Sequence, residues 1–181
     1  MPPMLEPCLN PIVYWITGLP AAGKTTLATA LAGAINQAGG RAGVLDGDEL
    51  RKGLCSDLGL SAADRAENIR RAGEVARLMA LNGLTVVCAF VSPFEADRQR
   101  VRALFAPGEF HEIHLSTPVE ECARRDPKGL YARARAGLIT GLTGWDGAYE
   151  VPRAPESRYD TQTTTVAAMV QQLLAARTQR R

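Results

Sequence analysis

An α/β fold, a parallel sheet with helices packed on both faces, is predicted by three observations. Apolar strand-like runs alternate with helix-like stretches along the chain. One junction between such a run and such a stretch is the glycine-rich segment Gly18-Leu19-Pro20-Ala21-Ala22-Gly23-Lys24-Thr25. At 181 residues, 46% of them hydrophobic, the chain has material for one well-buried core and too little for two, so residues 1–181 are expected to form a single domain.

The elements follow in order. Ile12-Val13-Tyr14-Trp15-Ile16 is the first strand, near residues 12–17. A helix is expected from Lys24 to about Ala38, stopped by Gly39-Gly40, followed by a short strand over Ala42–Leu45. Ser61-Ala62-Ala63-Asp64 resembles a capping box and opens a helix reaching Leu81, where Asn82-Gly83 ends it. Leu84 to Phe90 is the most strand-like run, and after Ser92-Pro93 a shorter helix should extend to about Phe105. Phe110–Leu115 is another strand, and Pro118 begins a helix through Arg125. Residues 126–155 are rich in glycine and proline and weakly periodic, the pattern of a mobile lid, with a short helix near Leu130–Ala136. Thr163–Arg177 closes the chain as a helix.

Charge and cysteine content narrow the partners. A formal net charge of +2, with no basic stripe interleaved with aromatics, predicts no nucleic-acid partner. The longest apolar run, Leu84 to Val91, is far short of the roughly 20 residues that span a bilayer. Met1–Pro11 lacks the basic-plus-apolar design of a signal peptide, so a cytoplasmic protein with no membrane partner is expected. Cys8, Cys55, Cys88 and Cys122 are scattered, with only His111 and His114 as further ligand types, and read as reduced thiols.

The segment from Gly18 to Thr25 fits G-x-x-x-x-G-K-[ST] and stands between a strand and a helix, where backbone N–H groups and a helix N-terminus converge on phosphates. It predicts a nucleoside triphosphate site formed by Gly18, Leu19, Pro20, Ala21, Ala22, Gly23, Lys24, Thr25 and Thr26, on a P-loop NTPase three-layer sandwich. Lys24 is expected on the β/γ-phosphates and Thr25 near Mg²⁺. Asp46 and Asp48 follow a strand end, where an open α/β sheet places its ligands. Two carboxylates beside a triphosphate suit a magnesium ion, with Asp46 in the metal shell, and a proton acceptor, Asp48.

Five segments together resemble the adenylylsulfate kinase (APS kinase) family over about Ile12 to Pro155: the P-loop; Leu45-Asp46-Gly47-Asp48-Glu49-Leu50-Arg51-Lys52-Gly53-Leu54; Asp64-Arg65-Ala66-Glu67-Asn68-Ile69-Arg70-Arg71; Phe90-Val91-Ser92-Pro93-Phe94; and the run from Arg125-Asp126-Pro127-Lys128-Gly129-Leu130-Tyr131 to Gly137. Thr143-Gly144 and Tyr149-Glu150 follow shortly after. The resemblance implies a homodimeric, ATP- and Mg²⁺-dependent kinase that phosphorylates the ribose 3′-hydroxyl of adenosine 5′-phosphosulfate. It implies catalytic roles for Asp48, Lys24, Asp46, Ser92 and Lys128, and a substrate surface of Asp48, Arg51, Leu60, Arg65, Asn68, Val91, Ser92, Lys128 and Leu142. Arg65 and Asn68 lie three apart, on one helix face, and arginine's planar fork suits phosphate and sulfate oxygens; a solvated, charge-paired face is the alternative for Arg65, Arg70 and Arg71. Ser92, whose family counterpart has been treated as a phosphoserine, reads instead as a substrate-side hydrogen-bonding group, because no base adjoins it in sequence.

The chain departs from the family at Leu60 and Leu142, where two phenylalanines hold the substrate adenine, and at Glu49, where asparagine is usual. The segment before the first strand is also shorter than the family's extension. Trp145 is expected either to supply the missing ring or to pack the lid. A kinase of another small nucleotide, such as a cytidine diphosphoramidate, and a non-catalytic nucleotide sensor remain as alternatives. Asp46, Asp48, Arg51 and Lys128 speak against the sensor.

Overall fold

The computed structural model describes residues 11–178, so Cys8 and the stretch Met1–Pro11 read for a signal peptide lie outside the described residues apart from Pro11. Five strands, β1 (Val13–Gly18), β2 (Ala42–Asp46), β3 (Thr85–Ala89), β4 (Phe110–Leu115) and β5 (Ser157–Tyr159), form one sheet in the order β2-β3-β1-β4-β5, and every pairing is parallel. Parallel neighbours require crossovers, and helices supply them. These are α1 (Lys24–Gln37), α2 (Gly47–Lys52), α3 (Ala62–Leu81), α4 (Glu95–Arg102), α5 (Val119–Arg125) and α6 (Leu130–Arg135); a last helix, α7 (Val166–Thr178), follows β5.

The period of two along β1 divides the core. Tyr14 and Ile16 join Leu27, Leu31, Ile35, Met169 and Leu173 of α1 and α7 on one face. Val13 and Trp15 join Ile69, Ala72, Ala76 and Val101 of α3 and α4 on the other. Trp15 is stacked on Phe90 at 5.0 Å between ring centres and is fully buried. A strand apolar on both faces cannot tolerate an edge position, and β1 is the central strand.

Most predicted elements are present within a residue or two of their expected bounds. The helix after Ser92-Pro93 is shorter than expected, ending at Arg102. The Ser61 hydroxyl accepts from the Asp64 amide and caps α3 as its sequence predicts. Two elements were not expected from the sequence. β5, Ser-Arg-Tyr, has no apolar run because it is an edge strand of three residues paired only with β4. α2 is a single short helix with no buried residue, begun by the Asp46 carboxylate accepting from the Asp48 amide. Among the described residues, no helix is long and apolar enough to cross a membrane, and Cys55, Cys88 and Cys122 are buried and unpaired.

The lid segment is folded down against the cleft. The Asp126 carboxylate accepts from the Tyr131 and Ala132 amides, and Asp146 accepts from those of Gly141 and Leu142. Gly144, at φ +81°, packs so closely on the P-loop that a Cβ there would lie 2.3 Å from a Leu19 methyl. Glycine is therefore required where the lid meets the phosphate loop.

Candidate active site

Because the strands are parallel, their carboxyl ends share one rim, and Gly18, Asp46 and the segment after Ala89 all open onto it. There a cleft of about 1150 Å³ is lined on one wall by residues of the P-loop and on the other by Asp48, Arg51, Leu60, Arg65, Asn68 and the lid. The cleft is large enough for two nucleotides, and both predicted halves face it.

On the donor side, Gly23 sits at φ +99° as the N-cap of α1, and no side chain caps that end. The first N–H groups of α1 are thus left for an anion. The Lys24 ammonium donates to the Gly18 and Leu19 carbonyls at 3.0 and 2.7 Å, folded back over the loop. Burial lowers its pKa to about 8, against partial compensation from the nearby acidic groups Cys122, Asp46 and Asp48. An arriving triphosphate gives this cation the counter-charge it lacks. The Thr25 hydroxyl donates to the Asp46 carboxylate at 2.7 Å, which brings together the two residues expected at a magnesium ion. Among the described residues no cluster of three His, Cys, Asp or Glu exists, so an ion held here relies on phosphate oxygens and water for its other ligands. That donor set is what magnesium prefers.

On the acceptor side, Lys128 of the lid forms an ion pair with Asp48. Both side chains are more than half exposed, so the pair is held by proximity and not by a dry environment. Arg51 donates to the carbonyls of Leu58 and Gly59, which fixes the turn that carries Leu60. Arg65 spans from helix to lid, donating to the Leu60 carbonyl, the Thr143 hydroxyl and the Gly141 carbonyl. Asn68 is 4% exposed, and its amide nitrogen has no hydrogen-bond partner. A buried donor without a partner costs about 1–3 kcal/mol, a cost a ligand can relieve. By contrast Arg70 is bound to Glu67, and Arg71 to Asp57 and Glu67; these two form the charge-paired face that was the alternative reading.

Ser92, Trp145, Leu60 and Leu142 take distinct places around the cleft. The Ser92 hydroxyl is buried, accepts from the Trp15 indole at 3.1 Å, and leans on the Phe90 carbonyl. With φ at +39° its backbone holds a conformation that costs about 1–3 kcal/mol outside glycine. Its side chain lines the cleft between Val91 and Pro93 while its hydroxyl is held by Trp15, so the loop's shape and the hydroxyl's direction are set together. Trp145 does not line the cleft: it stands edge-on to Tyr131 at 6.0 Å, under the Arg135 guanidinium, so its ring packs the lid. Leu60 is 66% exposed at the cleft mouth, whereas Leu142 is buried, with its amide donating to the Asp146 carboxylate.

Sequence reasoning passed over Tyr131, Thr17 and Arg98. Tyr131 lines the cleft, and its hydroxyl donates to the Pro20 carbonyl, joining lid to P-loop. Thr17 donates to the Val91 carbonyl and shares a hydrogen bond with Tyr149. Arg98 lies in a helix that reads Glu-Ala-Asp-Arg-Gln-Arg-Val-Arg, a pattern that predicts exposure, yet it is fully buried. No sequence signal distinguishes it from Arg100 or Arg102.

The family model described as adenylylsulphate kinase matches residues 10–160. An adenylyl-sulfate kinase of Shewanella pealeana is 54% identical over 165 residues, 91% of this chain and 80% of that relative. One of Marinobacter nauticus is 53% identical over 166 residues, 92% and 83% of the two chains. Among solved structures, the Mycobacterium tuberculosis APS kinase CysC, in complex with AMPPNP and APS, superposes with a TM-score of 0.88 at 41% identity, covering 92% of this chain and 96% of its own.

Proposed function

The chain belongs to the adenylylsulphate kinase family, and from that premise we propose that it transfers the γ-phosphate of ATP to the ribose 3′-hydroxyl of adenosine 5′-phosphosulfate. The observation that carries the reading is the single cleft with a triphosphate loop on one wall and Asp48, Arg51, Arg65 and Asn68 on the other. We read residues 1–181 as one kinase domain with its lid at 126–155, acting as a cytoplasmic homodimer. Its mass in solution is the check on the dimer.

The roles follow from position. The P-loop amides and Lys24 hold the outer phosphates, and Thr25 and Asp46 would hold magnesium, which when bound neutralises charge between the β- and γ-phosphates. Arg51 and Arg65 present guanidinium groups toward phosphosulfate oxygens, and Asn68 offers its unpartnered amide to the nucleoside. Asp48 accepts the proton of the attacking hydroxyl as the new O–P bond forms and the bond from γ-phosphorus to the bridging oxygen breaks. Its carboxylate is now paired with Lys128, so acceptor entry must separate the two, and Lys128 is then free to neutralise charge on the substrate.

The test is phosphotransfer from Mg-ATP to adenylyl sulfate and, in parallel, to a cytidine diphosphoramidate, with the phosphorylated position read by ³¹P NMR. Product phosphorylated at the 3′-position of adenylyl sulfate is expected. Turnover of the cytidine compound alone transfers the reading to a sister kinase, and turnover of neither favours a nucleotide sensor. Asp48→Asn should bind AMPPNP as the parent does while losing about 100-fold or more in kcat, the usual range for a positioned base. Unchanged kcat removes Asp48 from the chemistry.

A further inference from the structure

Arg98 is 0% exposed; both terminal nitrogens of its guanidinium are hydrogen-bonded, while Nε is ion-paired with Glu112 without an aligned hydrogen bond. Nη1 donates to the Ser92 carbonyl at 2.6 Å; Nη2 donates to the Glu150 carbonyl at 2.6 Å and to the Glu95 carboxylate; Nε lies 2.9 Å from Glu112. Two segments far apart in sequence meet at this one side chain: the loop 91–95 after β3, and residues 149–150 at the end of the lid. They are also joined directly. The Glu150 amide donates to the Pro93 carbonyl, and the Glu95 amide donates to the Glu150 carboxylate. The Thr17 hydroxyl links the Val91 carbonyl to Tyr149, whose ring faces the Arg98 guanidinium.

A buried charge network is a weak source of stability, because desolvation cancels most of what the ion pairs contribute. Its other consequence is to select one arrangement of the groups it binds. Here the arrangement includes the left-handed backbone of Ser92, pinned by Trp15 at its hydroxyl and by Arg98 at its carbonyl, while Val91 and Pro93 on either side line the cleft. Arg98's hydrogen bonds go to Ser92, Glu95 and Glu150, away from the P-loop.

We propose that Arg98 is a positioning residue for the acceptor: it locks the 91–95 loop to the root of the lid, so the acceptor wall and the lid adopt their working positions as one unit. The acceptor's identity rests on the function proposed above, but the locking does not. Arg98→Met should raise the acceptor KM about tenfold, leave the ATP KM within about twofold, and Arg98→Lys should recover part of the loss, since an ammonium keeps one link of the fork. Both KM values unchanged, or both raised by the same factor, would overturn the proposal.

Two further measurements stand apart from the parent's activity. The chain has two tryptophans, so Trp145→Phe leaves Trp15 as the sole reporter on Ser92. Its emission should shift when Arg98→Met is added, and an unshifted spectrum counts against the lock even if no acceptor is turned over. Should Arg98→Met not fold, Glu150→Ala removes an exposed side chain that ties the same segments, with an expected rise of about threefold in acceptor KM alone. No change there overturns the proposal. Absent turnover of adenylyl sulfate by the parent protein, by contrast, refutes only the assigned substrate.

Discussion

Asn68→Leu separates what the acceptor site costs the fold from what it contributes to binding. Asn68 lies in α3 among Ile69, Ala72 and Ala76, almost wholly buried, with its amide nitrogen unpartnered in the absence of ligand. Leucine has nearly the same shape and no donor to strand. Relief of an unsatisfied buried donor is worth about 1–3 kcal/mol. At about 2–4 °C per kcal/mol for a domain of this size, the ligand-free variant should melt about 2–12 °C higher. The same change removes the amide proposed above to meet the acceptor's nucleoside, so the acceptor KM should rise about 3–10-fold while the ATP KM holds, a loss of one neutral bond. Differential scanning fluorimetry without ligand and steady-state kinetics read the two effects. A variant that melts at or below the parent, with an unchanged acceptor KM, would refute the reasoning, because the amide would then be satisfied in the free protein and idle in the complex.

Two other perturbations test the site's surroundings. Burial, with Arg158 and then Arg98 adding like-charge repulsion, lowers the His114 pKa to about 4, so the unfolded chain takes up the proton first as pH falls. Stability should therefore drop between pH 6.5 and 4, by about 2 kcal/mol at pH 5 relative to pH 7; thermal melts of the parent and His114→Asn check this, and an equally steep fall in the variant would reject it. Leu60→Phe places a ring at an exposed position on the cleft mouth, where stacking on a base is worth about 1–3 kcal/mol, so the KM for adenylyl sulfate should fall about fivefold or more. An unchanged KM means that the acceptor's base lies elsewhere.

The donor half was legible in the sequence because its chemistry is local. Eight consecutive residues supply the phosphate loop, and the apolar run before it and the helical stretch after it are read from their own sequences. Asp46 beside Thr25 was legible for a different reason: a carboxylate at the end of a neighbouring parallel strand must arrive at the same rim. The acceptor half is non-local, and there the sequence was read unevenly. Arg65 and Asn68 share a helix face and could be paired by spacing, but nothing in the spacing says that Arg65 reaches the lid at Thr143. Trp145 sits three residues from a cleft-lining leucine, yet the turn at Gly144 carries its ring to the other side.

Arg98 and Ser92 mark the limit of such reading for a physical reason. A serine before proline at a strand end suggests an available hydroxyl, but whether it is available depends on a tryptophan 77 residues away. An arginine in a highly charged helix suggests solvent, but its burial depends on Glu112 in β4 and on the lid returning at Glu150. Each role is set by the partner that tertiary packing delivers. The donor wall of the cleft is thus encoded by a motif, whereas the acceptor wall is encoded by contacts among segments that no single motif contains. Substitutions that retune the acceptor are accordingly expected at positions such as Arg98 and Glu150, which do not line the cleft, as much as at Leu60, which faces it.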